Sequence, residues 1–332
     1  MPLRLPRRWK LSWLWTRESI PQAKPPSVRL AVVTAPAGEG ERRGDEAVRG
    51  TEILQTTHVE TAELGELAKL PPFRPVVIRL LRLFDRDDVS LEEVSALVEA
   101  DPSMASEILA IVNSPLFGVQ QTVSRPAHAI ALLGVERTKS LAATLAMRSL
   151  MQGGPRTPIV RRFWIHSIAT ATLARHLAPA FNLEPEASHV AALMHDLGRS
   201  GLLAAHQEPY SRLACAAHEN TAEILAAEQA AFGMTHCQAG MLLAKAWNLP
   251  AKFQEVAGHH HDAGSGEPLV AVVQLCCRLA DDFMYQAIHR GDMAKPAATI
   301  AQYAPDRLHS RLTGELDAVG AAIETAIGTL DF

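Results

Sequence analysis

Residues 192–198 read ALMHDLG, an apolar run that contains the adjacent polar residues His195 and Asp196. The flanking sequence is rich in Ala and Leu, which have strong helix propensity, so the pattern predicts a helix over residues 185–197. An imidazole and a carboxylate inside an apolar helix cost free energy unless partners compensate for them. This stretch therefore predicts a helical fold that encloses a buried polar site.

Similar polar residues recur in apolar segments of the second half of the chain, where twelve of the fourteen histidines lie. With His195 and Asp196 they form an ordered series: His166 in FWIHS, His236 in THCQAG, His259 and His260 in AGHHHD, and Asp281 in RLADD. Imidazole and carboxylate groups are ligands of Zn, Mn, Fe and similar ions in catalytic sites. We expect these seven residues to bind divalent metal, with Fe, Mn, Zn, Ni and Mg as candidates.

The spacing of the series favours two ions. Adjacent residues on a helix point about 100° apart, so His-Asp and His-His pairs do not chelate one ion as an i, i+4 pair does. In a site with two ions, Asp196 can bridge the ions while each histidine binds a different one. Such ions can convert a bridging water into hydroxide and stabilise a phosphoryl oxygen during attack. The other histidines of this half that we interpret as hydrogen-bonded core residues are His176, His189, His206, His218, His289 and His309.

Composition and hydrophobic periodicity predict an all-α fold. Of the 332 residues, 48% are hydrophobic and 5% aromatic, and no stretch alternates apolar and polar residues as a strand would. Gly153-Gly154-Pro155 is the clearest internal boundary. It predicts a two-part helical bundle, with an N-terminal part at residues 51–152 packed on a second part at residues 155–332. Helices of the second part are predicted near 158–179, 185–197, 208–217, 220–232, 236–247, 251–261, 268–290 and 305–328.

Local signals mark where helices of the first part begin. Pro75 opens VVIRLLRLF, Ser90 precedes LEEVSALVEA as a cap, and Asp101 with the following proline begins SMASEILAIVN. Gly134 separates two further helical segments, and another helical pattern runs from Thr51 to Leu70. These signals predict short helices joined by tight turns.

Residues 1–50 differ in composition from the rest of the chain. The first thirty residues carry seven basic side chains against one acid, Glu18, and hold three of the five tryptophans. We expect a disordered leader that ends in a Gly-containing linker. Weak peripheral contact with an anionic membrane surface, or contact with a partner, is the alternative.

The remaining composition narrows the class of protein. A formal net charge of −4 gives no reason to expect nucleic-acid binding, and no run of uncharged apolar residues is long enough for a spanning helix. None of the four cysteines forms a C-x-x-C pair, which favours a reducing cytoplasm. We therefore expect a cytoplasmic helical protein.

The ordered His and Asp series resembles that of the HD superfamily of metal-dependent phosphohydrolases. Members of that superfamily bind metals with a His, a His-Asp doublet and a distal Asp. The additional His236, His259 and His260 resemble the fuller ligand set of the HD-GYP cyclic-dinucleotide phosphodiesterases. Other motifs occur in the order of the HDOD domain, a bacterial module related to the HD hydrolases, from about Leu70 to about Asp282: LPPFRP, ADPSMASEILAIVNSPLFG, AIALLGVERTKSLAA, FWIHS, ALMHDLG and AWNLP.

The resemblance implies an HD-like helical fold and a regulatory role through protein contacts. Three positions depart from the HD-GYP pattern. Arg162 lies one turn before His166, where a carboxylate is usual, and its charge opposes a third ion. Arg199 replaces a Lys of the hydrolases and can still bind phosphate in a bidentate manner. In GSGEP (264–268), Glu267 replaces a Tyr and would repel an anionic dinucleotide, although this segment can also be an ordinary Gly-rich turn.

Two functions follow as hypotheses. In the first, the protein is a bacterial signal-transduction regulator that acts on a signalling protein partner and carries a His/Asp metal site. In the alternative, it is a metal-dependent phosphohydrolase or phosphodiesterase that acts on a nucleotide or cyclic dinucleotide. Asp196 and Arg199 would then have catalytic roles, with two metal ions bound by the His/Asp series. A purely structural metal site is a third interpretation.

Overall fold

Fifteen α-helices and no β-strand make up the residues that the computed structural model describes, which are 65–114, 119–153, 157–262 and 266–330. The all-α prediction is confirmed for this part of the chain. In chain order the helices are α1 (Pro75–Arg82), α2 (Leu91–Glu99), α3 (Pro102–Val112), α4 (Pro126–Leu133), α5 (Val135–Gln152), α6 (Pro158–Leu177), α7 (Pro185–Met194), α8 (Leu197–Ala205), α9 (Gln207–Cys215), α10 (Thr221–Phe232), α11 (His236–Ala246), α12 (Ala251–His259), α13 (Pro268–Asp282), α14 (Pro296–Tyr303) and α15 (His309–Leu330).

Capping residues begin the early helices where the sequence predicts. The Ser90 hydroxyl accepts a hydrogen bond from the Glu93 amide at the start of α2, and the Asp101 carboxylate accepts one from the Met104 amide at the start of α3, both at 3.1 Å. Gly134 separates α4 from α5 with φ 80°, a conformation that glycine adopts without strain. Helices α1 to α4 pack against one another and against α5.

Helix α6 lies at the centre of the later helices. It packs against α7, α13 and α15, while α8 packs against α11 and α11 against α12. Helix α5 packs against α7, so a single hydrophobic core runs from Leu67 to Ile323. This packing brings α6, α7, α11, α12 and α13 together around one buried point.

The close crossing of α8 and α11 depends on Gly198. A Cβ atom at this position would lie 1.8 Å from the carbonyl oxygen of His236 and 2.5 Å from the amide nitrogen of Gly240. Both neighbours are backbone atoms, which cannot move aside as a flexible side chain does. The glycine of ALMHDLG therefore allows the start of α11 to approach the turn that carries Asp196.

Two predicted helices are shorter in the structure. Helix α7 ends at Met194, and the predicted segment 185–197 continues into a separate helix, α8, which the sequence analysis did not predict. Helix α13 ends at Asp282 rather than near 290 because Met284 has φ 71°. The Met284 amide donates to the Asp281 carbonyl at 2.8 Å and the Tyr285 amide to the Ala280 carbonyl at 2.9 Å, which closes the helix. Helix α14 was also not predicted.

Several predictions fall on residues that the structure does not describe. They are the leader at 1–50, most of the helical pattern from Thr51 to Leu70, the turn at Gly154-Pro155 and part of GSGEP. All described residues belong to one compact unit, Glu52–Phe332, and the division into residues 51–152 and 155–332 stays a prediction. None of the described helices combines the length and the apolar character that a membrane span requires.

Candidate metal centre

Asp196 lies at a turn between two helices. His195 caps the end of α7 and Asp196 precedes the first residue of α8, with φ −96° and ψ 20° at Asp196. Because the chain leaves the helical path here, both adjacent side chains can face the same interior point. Asp196 is 4% exposed and His195 is 0% exposed.

The two carboxylate oxygens of Asp196 face different histidines. Oδ1 lies 3.4 Å from Nε2 of His236 and 3.4 Å from Nε2 of His260. Oδ2 lies 3.6 Å from Nε2 of His195 and 3.7 Å from Nε2 of His166. The structure therefore brings together five of the seven residues that the sequence predicts as ligands.

Each of these four rings is oriented by its other nitrogen. Because the partners are carbonyl or carboxylate oxygens, which accept hydrogen bonds, Nδ1 carries the proton and the Nε2 lone pair faces Asp196 in the neutral ring. Such outer hydrogen bonds are typical of metal-binding histidines. The Nδ1 donors and their acceptors are His166 with the Tyr285 carbonyl (2.8 Å), His195 with the Ala192 carbonyl (2.6 Å), His236 with Glu228 Oε2 (2.6 Å) and His260 with the Val256 carbonyl (3.1 Å).

Several polar atoms that face the centre lack a hydrogen-bond partner in the described structure. Within the described structure, Oδ1 of Asp196 and Nε2 of His236, His260 and His261 are buried without a hydrogen-bond partner. Buried polar atoms are rarely left in this state, because each costs free energy. The ligand atoms of these four residues lie within 4.8 Å of one another, so one divalent cation could satisfy all of them. The residues present fit a divalent metal.

The structure does not bring His259 to the centre, which corrects the expectation for that residue. Its side chain is 40% exposed, and its Nδ1 lies 2.7 Å from a carboxylate oxygen of Asp262. Helix α12 ends at His259. The side chain of His260 projects about 100° around the helix axis from that of His259 and so faces inward. The turn that follows the helix directs His261 inward as well. His261 therefore occupies the place that the sequence analysis gave to His259.

Asp281 lies on the outer side of His166. Its Oδ1 is 3.4 Å from Nδ1 of that ring, the nitrogen that faces away from Asp196. Its Oδ2 accepts a hydrogen bond from Nε of the buried Arg290 at 3.0 Å. The structure thus places this carboxylate behind the ring and not among the inward Nε2 atoms.

Arg199 is engaged by buried acids. Its Nε donates to Asp196 Oδ2 at 2.7 Å and its Nη1 donates to Glu228 at 3.3 Å. The Tyr210 hydroxyl donates to the same oxygen of Glu228 at 2.8 Å. The Arg199 residue is only 5% exposed, and the guanidinium has two anionic partners. Arg162, in contrast, directs its guanidinium to the Ala214 carbonyl at 2.9 Å.

The electrostatics of the centre favour a charged carboxylate among neutral rings. Burial alone would raise the pKa of Asp196, but the charge of Arg199 holds it well below its usual value. Burial lowers the pKa of His195 and of His236, so these rings stay neutral near pH 7. Neutral imidazole and ionised carboxylate are the forms that bind metal.

Sequence reasoning missed four residues of this centre: Glu228, His261, Cys277 and Tyr285. Sγ of Cys277 lies 3.6 Å from Nε2 of His166, and Tyr285 contributes only a carbonyl oxygen. Glu228 lies in the alanine-rich segment AAEQAAF, and the free-energy cost of burying a charged side chain there could have identified it, as the same cost identified His195. The role of Tyr285 depends on a backbone turn and has no signal in the sequence.

Comparisons with known sequences point to one family. The profile of the HDOD domain family matches residues 70–263 of the chain. An uncharacterized protein of Treponema pallidum (strain Nichols) is 22% identical over 232 residues, which is 68% of this chain. The chain spans only 45% of the length of that curated relative.

Solved structures share the fold at low sequence identity. An HDOD domain protein of unknown function from Geobacter sulfurreducens has a TM-score of 0.58 at 22% identity, covering 77% of this chain and 93% of that one. A candidate phosphohydrolase from Shewanella amazonensis SB2B has a TM-score of 0.60 at 17% identity, covering 80% and 98%. A candidate signal transduction protein from Marinobacter aquaeolei VT8 has a TM-score of 0.58 at 19% identity, covering 77% and 60%. At these identities the likeness establishes the helical fold alone.

Proposed function

The chain belongs to the HDOD domain family, and on this premise we propose that it is a signal-transduction regulator that acts through protein contacts. A divalent metal site centred on Asp196 would stabilise the helices that form its binding surface. Two groups of residues would hold divalent metal there: Asp196 with His236, His260 and His261, and His166 with His195. Its chemistry there would be that of a Lewis acid enclosed by protein ligands.

The observation that carries this proposal is the burial of Asp196 and of the four rings that face it. Asp196 and its four facing rings are at most 4% exposed. A catalytic metal keeps an open position for water or substrate, whereas a structural metal is closed in by its ligands. The closed arrangement around Asp196 favours a role in stability and regulation.

The state of Arg199 supports the same conclusion. A phosphate group would have to displace Asp196 or Glu228 from the guanidinium, and each hydrogen bond to a charged group contributes about 1.5–3 kcal/mol. The outer contacts of the rings also suit a fixed site, since the Nδ1 donors hold each ring in one orientation. The histidines around Asp196 would therefore bind and orient a metal, and Arg199 is not free to bind a phosphate.

One observation favours the alternative function, a phosphohydrolase or phosphodiesterase that acts on a nucleotide or cyclic dinucleotide. Each oxygen of Asp196 faces a separate pair of Nε2 atoms, the arrangement expected when a carboxylate bridges two ions. Under this alternative the centre must open to admit substrate.

Metal content and hydrolysis of full-length protein test both functions. We expect purified protein to retain divalent metal, and Asp196→Ala and His260→Ala to lose it. His259→Ala is the matched control, because that ring lies outside the centre, and it should retain the metal. We expect a panel of nucleotides and cyclic dinucleotides to show no hydrolysis that depends on Asp196.

The outcomes separate the hypotheses. Hydrolysis that is present in the wild type and absent from Asp196→Ala would replace the regulatory proposal with the enzymatic one. Absence of bound metal after loading with each candidate ion would remove the metal site from both functions. Equal metal loss in His259→Ala and His260→Ala would contradict the ligand assignment.

A further inference from the structure

Cys277 lies on α13 four residues, about one helical turn, before Asp281, and its side chain reaches the inner side of His166. Its Sγ is 3.6 Å from Nε2 of His166, the nitrogen that also faces His195 and Asp196. The thiol is buried, as are both rings. The ligand atoms of His166, His195 and Cys277 all lie within 4.8 Å of one another.

The two rings leave a gap that suits a cation. Nε2 of His166 and Nε2 of His195 are 3.2 Å apart, and each ring donates its Nδ1 proton to a backbone carbonyl. In the neutral rings both facing nitrogens therefore present lone pairs, which repel each other at this distance. A cation bound by both lone pairs would remove the repulsion.

Four separations among His166, His195, Asp196 and Cys277 agree with those between the ligands of a tetrahedral ion, and Cys277 lies within 4.8 Å of His195. Ligand atoms bound at about 2.0–2.3 Å by such an ion lie about 3.3–3.8 Å apart. The separations are 3.2 Å between the rings, 3.6 Å from Cys277 to His166, and 3.6 and 3.7 Å from Asp196 Oδ2 to His195 and His166. We propose that Cys277 is a metal ligand, and that with His166, His195 and Asp196 it forms a thiolate-containing site that selects Zn²⁺. This inference deepens the proposed function, because it rests on metal binding at Asp196.

The position of Asp281 explains why a cysteine takes this role. Asp281 is held by Arg290 and faces the outer nitrogen of His166, so its oxygens lie on the wrong side of the ring. Cys277 lies four residues earlier on the same helix face and reaches the inner nitrogen. A thiolate favours Zn²⁺ over Mg²⁺ and Mn²⁺, which prefer oxygen ligands.

Binding is a proton exchange with no redox step. The S–H bond of Cys277 breaks, a bond from sulfur to Zn²⁺ forms, and the proton passes to the solvent. The thiolate and the Asp196 carboxylate together balance the two charges of the ion. The buried Arg199 remains balanced by Glu228.

Cobalt substitution tests the ligand directly. Metal-free full-length protein would be titrated with Co²⁺, which reports a thiolate ligand by a sulfur-to-cobalt charge-transfer band in the near ultraviolet. We expect this band in the wild type and its loss in Cys277→Ser, with Zn²⁺ affinity at least about tenfold weaker. Cys276→Ser is the matched control, since the neighbouring thiol is equally buried and points about 100° away.

A second variant keeps the test decisive if Cys277→Ser does not fold. Cys215→Ser, Cys237→Ser and Cys276→Ser combined leave Cys277 as the last of the four cysteines, and this protein should keep the band. Asp196-dependent Co²⁺ binding without a sulfur band would overturn the role of Cys277 and leave the proposed function intact. Absence of any Asp196-dependent metal binding would overturn both.

Discussion

At the residue scale, Glu228 joins the outer contacts of the metal centre. Its carboxylate accepts hydrogen bonds from the amide of His236 at 2.8 Å and from the ring of His236 at 2.6 Å, and it also binds Arg199 and Tyr210. Burial alone would raise the pKa of Glu228, but its interactions with His236, which include hydrogen bonds from the ring and the amide, and the charge of Arg199 lower it from 4.5 to about 2. Glu228 is therefore an anion inside the protein at neutral pH.

We expect Glu228→Gln to destabilise the metal-free protein in a pH-dependent way. The folded pKa lies below the unfolded one, so the stabilisation is complete above about pH 4.5 and is lost as the pH falls towards about 2. The lowered pKa corresponds to about 3 kcal/mol of unfolding free energy at neutral pH. Urea denaturation of both proteins from pH 7 to pH 2.5 should show a difference that narrows with acid.

The control for this prediction is Glu255→Gln. Glu255 has a side chain that is 54% exposed and pairs with the outward His259, so the variant should match the wild type closely at every pH. A deficit in Glu228→Gln that stays constant from neutral pH to pH 2.5 would show that its charge is not the source of the stability.

Single residues also show how far the sequence can identify a site. The cost of a buried polar side chain pointed to His195, Asp196 and His236, which the structure buries close together. The same reasoning chose His259 with His260, because three consecutive histidines look alike until the end of α12 is known. Cys277 resembles any apolar core residue in sequence, and only its distance from His166 distinguishes it.

At the element scale, the crossing of α8 and α11 sets the distance between Asp196 and His236. We expect Gly198→Ala to force these helices apart, because the new Cβ would meet backbone atoms at 1.8 and 2.5 Å. The free energy of unfolding should fall by about 3 kcal/mol or more. Metal affinity should fall as well, since His236 begins α11 and would move away from Asp196. Thermal melting and metal titration measure the two effects.

Gly314→Ala provides the comparison for the same substitution. Gly314 lies in the exposed face of α15, and a Cβ there would meet nothing within 4 Å. Alanine in a helix should raise stability by about 0.5–1 kcal/mol at this position. An equal change in the free energy of unfolding in Gly198→Ala and Gly314→Ala would mean that α8 and α11 do not cross closely in solution.

Helix starts were easier to predict than helix ends. Ser90 and Asp101 each place a side-chain hydrogen-bond acceptor beside free backbone amides at the start of a helix. Because this effect is local, the residue type alone predicts it. The end of α13 depends on a left-handed Met284, where glycine or asparagine would be the usual signal, so the apolar pattern alone predicted a helix eight residues too long. Helix α8 was missed because its pattern continues that of α7 across a two-residue turn.

At the scale of the whole molecule, the metal centre connects helices that are distant in the sequence. Its residues come from α6, the α7–α8 turn, α11, the end of α12 and α13. The hydrophobic core is continuous from Leu67 to Ile323, and α5 packs against α7. An ion bound at Asp196 should therefore stabilise the described unit as a whole.

We expect metal-loaded protein to unfold in one transition that moves to lower temperature when a chelator removes the ion. A ligand that binds only the native state adds about 2.7 kcal/mol when its free concentration is 100 times the dissociation constant. For a protein of this size that free energy corresponds to about 4–5 °C in Tm. Asp196→Ala should melt at the same temperature with and without chelator. Two transitions, of which the chelator shifts only one, would instead show that residues 51–152 and 155–332 unfold as separate units.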